Sequence, residues 1–507
     1  MVFSNKIISS VSERFRGNTL EQRCARGSFF LAIGAVLTRG ASFASKIILV
    51  RLLAPADMGL MVMILTLTTF FETMTELGVK YSVIQHKNGA EWDYMNTAWW
   101  FQSLRGVILY AVAFFVSPWI CQFYFAGKDE MLMIHRMPEM VMLTRAAFLT
   151  IPLNGFVSPA VYTLMKEFKF GKTVFLNQGS TVVGTIATII LAFLMRSIWA
   201  VVIGSVGTVL ILCVFSFVFC SFRPGWSFHM DSFRHVSKFA RGVIGLPILT
   251  YVAFNGDILV AGKLLSASLV GMYGMASVFA QMPKELLLRV IGPLLMPAFA
   301  EKQDEKEALC RGLLKVTHIT ALVGIPLTAL TIICGKTLLT WVYTPQYVEV
   351  VVPFGLLTVY AMLQLQAILM GKLFFGIGQP DKHRSFVGLR AILLLLLIYP
   401  AIKYLGLTGV AGVLVLANFA ALCVQVVVLN KTIGLNIATY ALSWVPGILL
   451  AFPVVAIVWL VQSFKPEMPF LSLIGGSLMY LSVYAIWVFR SSLVRLVSLR
   501  QPESIGN

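Results

Sequence analysis

Eleven ionisable side chains fall within stretches of this chain that are otherwise apolar, and they bound the chemistry open to it. Seven are cations, Arg39, Lys46, Arg105, Arg145, Lys284, Arg289 and Lys372, and four are acids, Glu72, Glu76, Asp257 and Glu285. A charge at the centre of a bilayer costs at least ~2.5 kcal/mol, so such residues face a protein interior or a watery cavity. Arg105 and Arg145 stand within about two turns of a span end, where a long side chain can reach the interface. Arg39, Glu72, Lys284 and Glu285 are too central for that. The planar fork of Arg39 suits phosphate oxygens, and charge-assisted bonds of this kind are the strong ones. Glu72 and Glu76 lie one turn apart on one helix face, and Gln281, Glu285 and Arg289 form a second row. These carboxylates leave room for a proton or sodium site. Internal ion pairs that merely join helices are the competing role for all of these residues.

The elements that must hold these charges are membrane-spanning helices. With 507 residues at 58% hydrophobic and 12% charged, the chain lies outside ordinary soluble usage. Apolar runs of the length needed to cross the hydrocarbon, roughly twenty residues each, number about fourteen. Their predicted limits are 27–50, 60–83, 97–120, 140–165, 173–195, 198–221 and 240–262, then 271–298, 313–335, 351–376, 385–402, 407–430, 440–462 and 469–489. Period-two alternation is absent and backbone polar groups in lipid must be satisfied within each segment, so the fold class is all-α. Pro152, Pro159, Pro247, Pro283, Pro293, Pro297 and Pro326 are expected to bend or break these helices. Gly179 and Gly184 read as close-packing positions.

Lysine and arginine collect in alternate loops, for example Lys302, Lys306 and Arg311, or Lys382, Arg384 and Arg390, which puts both termini in the cytoplasm. The net charge of +18 is thereby mostly topology, and no nucleic-acid partner is implied. Residues 1–26 carry no cleavable signal and read as a cytoplasmic tail. The seven cysteines form no CxxC pair, and the six histidines lie in loops or near span ends with no HExxH motif. No metal, cofactor or catalytic centre is expected, and the outer loops are too short for a catalytic domain.

An internal echo organises the chain. KIILVRLLAPADMG, Lys46 to Gly59, returns as ILVAGKLLSASLVG, Ile258 to Gly271, with Arg51 and Gly59 spaced as Lys263 and Gly271. Two parallel halves of this kind are a common plan of secondary transporters. The repeat sets Lys284 against Glu72, and Asp257 near the level of Lys46. At 1.5 Å per residue Arg39 lies about 18 Å from the inner end of its span, level with Glu72. Charge therefore gathers in the first two spans of each half.

The stretch LLAPADMGLMVMILTLTTFFETMTELGVKYSVIQ, Leu52–Gln85, resembles the opening of Wzx-type polysaccharide-unit flippases of the MOP exporter superfamily. Phe254–Ala300 resembles that family's segment from a span-seven aspartate into a Pro-containing span eight. The resemblance covers the whole chain. It implies two six-helix lobes around a central cavity, 27–221 and 240–430, joined by a cytoplasmic linker at 222–239. Two more helices follow within 431–489, then a cytoplasmic tail, 490–507. It further implies flipping of an undecaprenyl-pyrophosphate-linked oligosaccharide across the bacterial inner membrane for exopolysaccharide, capsule or O-antigen assembly, beside a polymerase and chain-length machinery. Arg39, Lys46, Lys284, Arg289 and Lys372 would then line a cationic cavity, with Gln364 one helix face along from Lys372. Glu72, Glu76, Asp257 and Glu285 are left for coupling or gating, with Lys46 and Asp257 expected to close an outer gate as a breakable pair. Proton or sodium coupling stays undecided. A lipid II flippase and a cation-coupled multidrug exporter of the same superfamily are the alternatives.

Overall fold

The computed structural model describes residues 20–86, 88–125, 130–167, 169–243, 245–464, 474–482 and 484. Among these every regular element is a helix and no strand occurs. In chain order the first are α1 (Leu20–Leu52), α2 (Pro55–Gln85), α3 (Trp92–Phe125), α4 (Glu130–Phe148), α5 (Thr150–Phe156), α6 (Ala160–Lys166) and α7 (Phe170–Val174). A π-helical turn, Phe175–Gly179, leads into α8 (Ser180–Met195) and α9 (Trp199–Val218). Then come α10 (Met230–Val243), α11 (Gly245–Leu264), α12 (Ala267–Ala280), α13 (Met282–Glu301), α14 (Lys306–Ile333) and α15 (Gly335–Val342). After a 3₁₀ turn at Pro345–Val350 follow α16 (Val351–Gly376), α17 (Pro380–Ile433), α18 (Ile437–Leu442) and α19 (Val445–Phe464). Eight spans among the described residues are long and apolar enough to cross a bilayer. The chain is a multi-pass membrane protein.

Local chemistry explains the boundaries. Pro55 opens α2 at its first turn, where the missing N–H is no loss. Asn436 caps α18 by accepting from the Ala438 and Thr439 amides. Gly434 ends α17 in the left-handed region at φ 75°. The span expected at 140–165 is delivered as α4, α5 and α6, with breaks at Leu149 and at 157–159, flanking Pro152 and at Pro159. The span expected at 271–298 breaks at Gln281, and Pro283 sits in the first turn of α13. Pro326, by contrast, lies inside an unbroken α14, and Pro293 and Pro297 inside α13. Expected spans 385–402 and 407–430 run together as α17 with one non-helical residue, Gly406, at φ 57° and ψ −136°. Glycine is the residue that tolerates that backbone.

By contact density the described residues form two compact units. One holds the chain up to Met275 together with Leu394–Gly406; the other holds Ala276–Leu393 and the chain from Leu407 on. Within the first, α8 and α9 pack through small residues: a Cβ at Gly184 would meet Thr208 Oγ1 at 1.9 Å, and one at Gly204 would meet Thr188 Oγ1 at 2.0 Å. Gly179 makes no such approach, its nearest neighbour being Phe175 at 3.8 Å. The two repeat glycines meet each other. A Cβ on Gly59 would lie 1.7 Å from the Ala267 carbonyl oxygen, and one on Gly271 would lie 2.5 Å from the Gly59 nitrogen. The segment read as a linker carries α10, whose Val236 is buried with Val79, Val83, Tyr94 and Ala98 while Arg234 is exposed. Within the second unit α16 is buried on most of its faces.

Candidate functional site

In the first unit, polar side chains from five elements converge on a cavity of about 320 Å³. Glu72 and Lys80 come from one face of α2, two turns apart, Gln102 from α3 and Asn154 from α5. Thr173 comes from α7, and Asn177 and Gln178 come from the π-turn. The wider π-turn lets two consecutive side chains border one space, which a regular helix separates by about a quarter turn or more. Glu72 Oε1 accepts from Asn154 Nδ2 at 3.1 Å. Gln102 Nε2 donates to the Val157 carbonyl at 2.5 Å, and Asn177 Nδ2 to the Thr173 carbonyl at 3.0 Å. Val157, Val161, Val174 and Leu212 supply apolar wall. Gly34 of α1 packs directly against Gln178, since a Cβ there would lie 1.5 Å from Gln178 Oε1.

Arg39, Lys46 and Asp257 are not among the residues that line this cavity. Asp257 is buried, 5% exposed, and its Oδ2 accepts from the Tyr273 hydroxyl at 2.8 Å. Lys46 is half-buried and Arg39 exposed on α1. The side chain of Glu76 lies outside the described residues. Arg145 is pinned between helices: its Nε donates to Ser117 Oγ at 3.0 Å and to the Phe114 carbonyl at 3.2 Å, with the guanidinium 4.0 Å above the Phe114 ring. Lys263, the repeat partner of Arg51, stands over the Phe123 ring at 4.7 Å and donates to the Phe123 carbonyl.

In the second unit Lys284 is 7% exposed, and its ammonium donates to Gln281 Oε1 at 2.7 Å and Gln364 Oε1 at 2.6 Å. It borders a cavity of about 10 Å³, the room of a single water. The structure thus joins Lys284 to Gln364, which the sequence had associated with Lys372. Glu285, Arg289 and Lys372 are half-buried on α13 and α16.

Arg390, counted from sequence among the inner-loop cations, is instead fully buried in α17, with its Nη2 donating to the Tyr360 hydroxyl at 2.5 Å and its guanidinium 5.2 Å from that ring. It lies ten residues inside a helix that begins at Pro380, so the loop assignment is corrected. Across the kink at Gly406, Gln425 Nε2 lies 3.3 Å from His383 Nδ1, and Asn418 is likewise buried. Sequence reasoning also missed Gln102, Asn154, Asn177 and Gln178, because it searched apolar spans for charge alone. A buried carboxamide has the same need for partners, and Asn154 between Pro152 and Pro159 was the available signal.

Comparison with known proteins gives the following. The family described as "Polysaccharide biosynthesis protein" matches residues 48–352. The lipopolysaccharide biosynthesis protein WzxC of Escherichia coli (strain K12) is 22% identical over 434 residues, 84% of this chain and 85% of that protein. The succinoglycan biosynthesis transport protein ExoT of Rhizobium meliloti (strain 1021) is 23% identical over 57% of this chain and 56% of its own. Among solved structures, the lipid II flippase MurJ in an inward closed conformation matches with a TM-score of 0.72 at 13% identity, over 92% of this chain and 99% of that one. An inward-facing multidrug resistance MATE family transporter of the MOP superfamily matches with a TM-score of 0.61 at 15% identity, over 78% and 94%. At these identities the structural matches speak for the fold.

Proposed function

Since this chain belongs to the polysaccharide biosynthesis protein family and has the fold of MOP-superfamily transporters, we propose that it is a flippase for undecaprenyl-pyrophosphate-linked oligosaccharide repeat units. It carries them from the inner to the outer leaflet of the bacterial inner membrane, in a chain of fourteen spans arranged as two six-helix lobes plus two helices, with both ends cytoplasmic. A polymerase and its chain-length machinery take up the product. Arg39, Lys46, Lys284, Arg289 and Lys372 replace the hydration of the pyrophosphate and glycan during transit. Glu72, Glu76, Asp257 and Glu285 serve gating or proton or sodium coupling.

The observation that carries this reading is Lys284. A lysine held at 7% exposure, its Nζ donating to the Gln281 and Gln364 side-chain oxygens inside a helix of a polysaccharide-family membrane protein, sets a basic group where a charge in lipid would be costly. An anion moving past would find an ammonium already desolvated and positioned. The test is genetic and biochemical. A strain without the gene should lose surface polysaccharide and accumulate lipid-linked repeat unit on the inner leaflet. Lys284→Met should fail to restore polymer, by at least about tenfold, at normal membrane levels, while Lys284→Arg keeps part of the activity; the transport barrier raised is then at least about 1.4 kcal/mol. Restoration of peptidoglycan synthesis instead would assign the chain to lipid II, and drug efflux without polymer loss would assign it to the exporters.

A further inference from the structure

The 320 Å³ cavity of the first unit differs in chemistry from the cationic positions assigned to the pyrophosphate. Gln102, Asn154 and Asn177 each commit a side-chain N–H to a protein acceptor. Commitment of the nitrogen orients each amide and leaves its carbonyl oxygen as an acceptor. Glu72 holds Asn154 in place by accepting from its Nδ2 at 3.1 Å, and Lys80 adds an ammonium donor from the same helix. The cavity thus presents several oriented carbonyl acceptors together with the Lys80 ammonium and the remaining amide N–H groups. The matching ligand is rich in hydroxyl groups, each a donor and an acceptor, with an occasional acidic group for Lys80. The volume is at the lower end of small-molecule sites, roughly 300–1,000 Å³, and suits a short glycan segment. The π-turn that presents Asn177 and Gln178 together is a device found often at functional sites.

We propose that this cavity, bounded by Glu72, Lys80, Gln102, Asn154 and Asn177, is a glycan subsite that reads sugar hydroxyls of the transported unit and makes transport depend on a completed repeat. The subsite rests on the flippase reading above, and supplies its selectivity. Lipid-linked precursors carry the same pyrophosphate whether their glycan is complete or not, so discrimination has to come from groups that contact the glycan. Buried hydrogen-bonding groups do this well, because a substrate lacking the matching hydroxyl leaves them unpaired.

The experiment uses the full chain in proteoliposomes with two probes: the complete undecaprenyl-pyrophosphate-linked repeat unit extracted from the producing strain, and undecaprenyl pyrophosphate bearing only its first sugar. The unmodified protein should flip the complete unit at least tenfold faster. Asn154→Ala and Asn177→Ala should each lower the ratio of the two rates at least fivefold. Gly34→Ala should do the same while leaving every cavity residue unsubstituted, because its Cβ would displace the Gln178 carboxamide that borders the space. Thermal unfolding of each variant in detergent separates this from misfolding. An unchanged ratio, or equal losses on both probes, overturns the subsite and leaves the flippase intact. A loss that an imposed sodium or proton gradient restores also overturns it, and gives the cavity to a coupling ion. Flipping of neither probe by the unmodified protein overturns the flippase reading itself.

Discussion

Asp257 holds the most constrained acidic position described in this protein, 5% exposed with its Oδ2 on the Tyr273 hydroxyl at 2.8 Å. A gate built on Lys46 and Asp257 has to be breakable, and a solvent-exposed pair would be worth only about 1 kcal/mol. Removing one member of a buried charged pair costs more, about 3–5 kcal/mol, because the survivor is left uncompensated. Lys46→Asp and Asp257→Lys should therefore each reduce polymer export, and the double exchange should recover part of it. Export assays on the variants, with membrane levels measured by immunoblot, check this. Lack of recovery with both single variants present at normal levels would leave Asp257 as a cation site. At this scale the charged candidates were legible in the sequence because their cost in lipid makes them conspicuous. Gln102, Asn154 and Asn177 were not, since a neutral carboxamide barely disturbs an apolar run and its role shows only when neighbours on α2, α3 and the π-turn converge.

At the scale of elements, the close approach of α2 and α12 explains why the sequence echo ends on glycine. Gly59 and Gly271 stand where backbone meets backbone, the Gly59 position only 1.7 Å in projected Cβ distance from the Ala267 carbonyl. Backbone cannot turn aside as a side chain can, so a methyl group there must push two helices apart. Gly59→Ala should lower the thermal unfolding temperature, with overpacking costing about 1–3 kcal/mol. Gly40→Ala on α1, whose Cβ would meet nothing within 4 Å, should leave it unchanged or raised slightly by about 1 kcal/mol or less. Melting curves in detergent distinguish the two, and equal behaviour would deny the contact any energetic weight. One helix was readable from its apolar run alone: α16 covers Val351–Gly376, the limits expected for that span. The division of one expected span into α4, α5 and α6 was only half readable. Proline marks where a bend is permitted, while neighbouring packing decides whether the helix breaks, as at Pro159, or continues, as at Pro326.

For the whole molecule, the proposed orientation in the membrane rests on the cations at helix ends. Lys302 donates to Glu305 in the turn between α13 and α14, with Lys306 and Arg311 in the next turns. Arg196 alone occupies the tight left-handed turn, φ 45°, that joins α8 to α9. Burial of Arg390 removes one cation from the inner tally, yet the imbalance survives with Lys382 and Arg384 still at the start of α17. Juxtamembrane cations gain about 1 kcal/mol each from an anionic inner surface, so a bias repeated over several loops still supports the proposed orientation after that correction. Alkaline phosphatase fused after Ser197 should therefore be active, because the enzyme matures only outside the cytoplasm, and a fusion after Gln303 should be inactive. A fluorescent protein that matures only inside should give the reverse pattern at the same sites. The opposite result at both positions would invert the chain in the membrane, and would turn the direction of transport proposed here against the distribution of its cations.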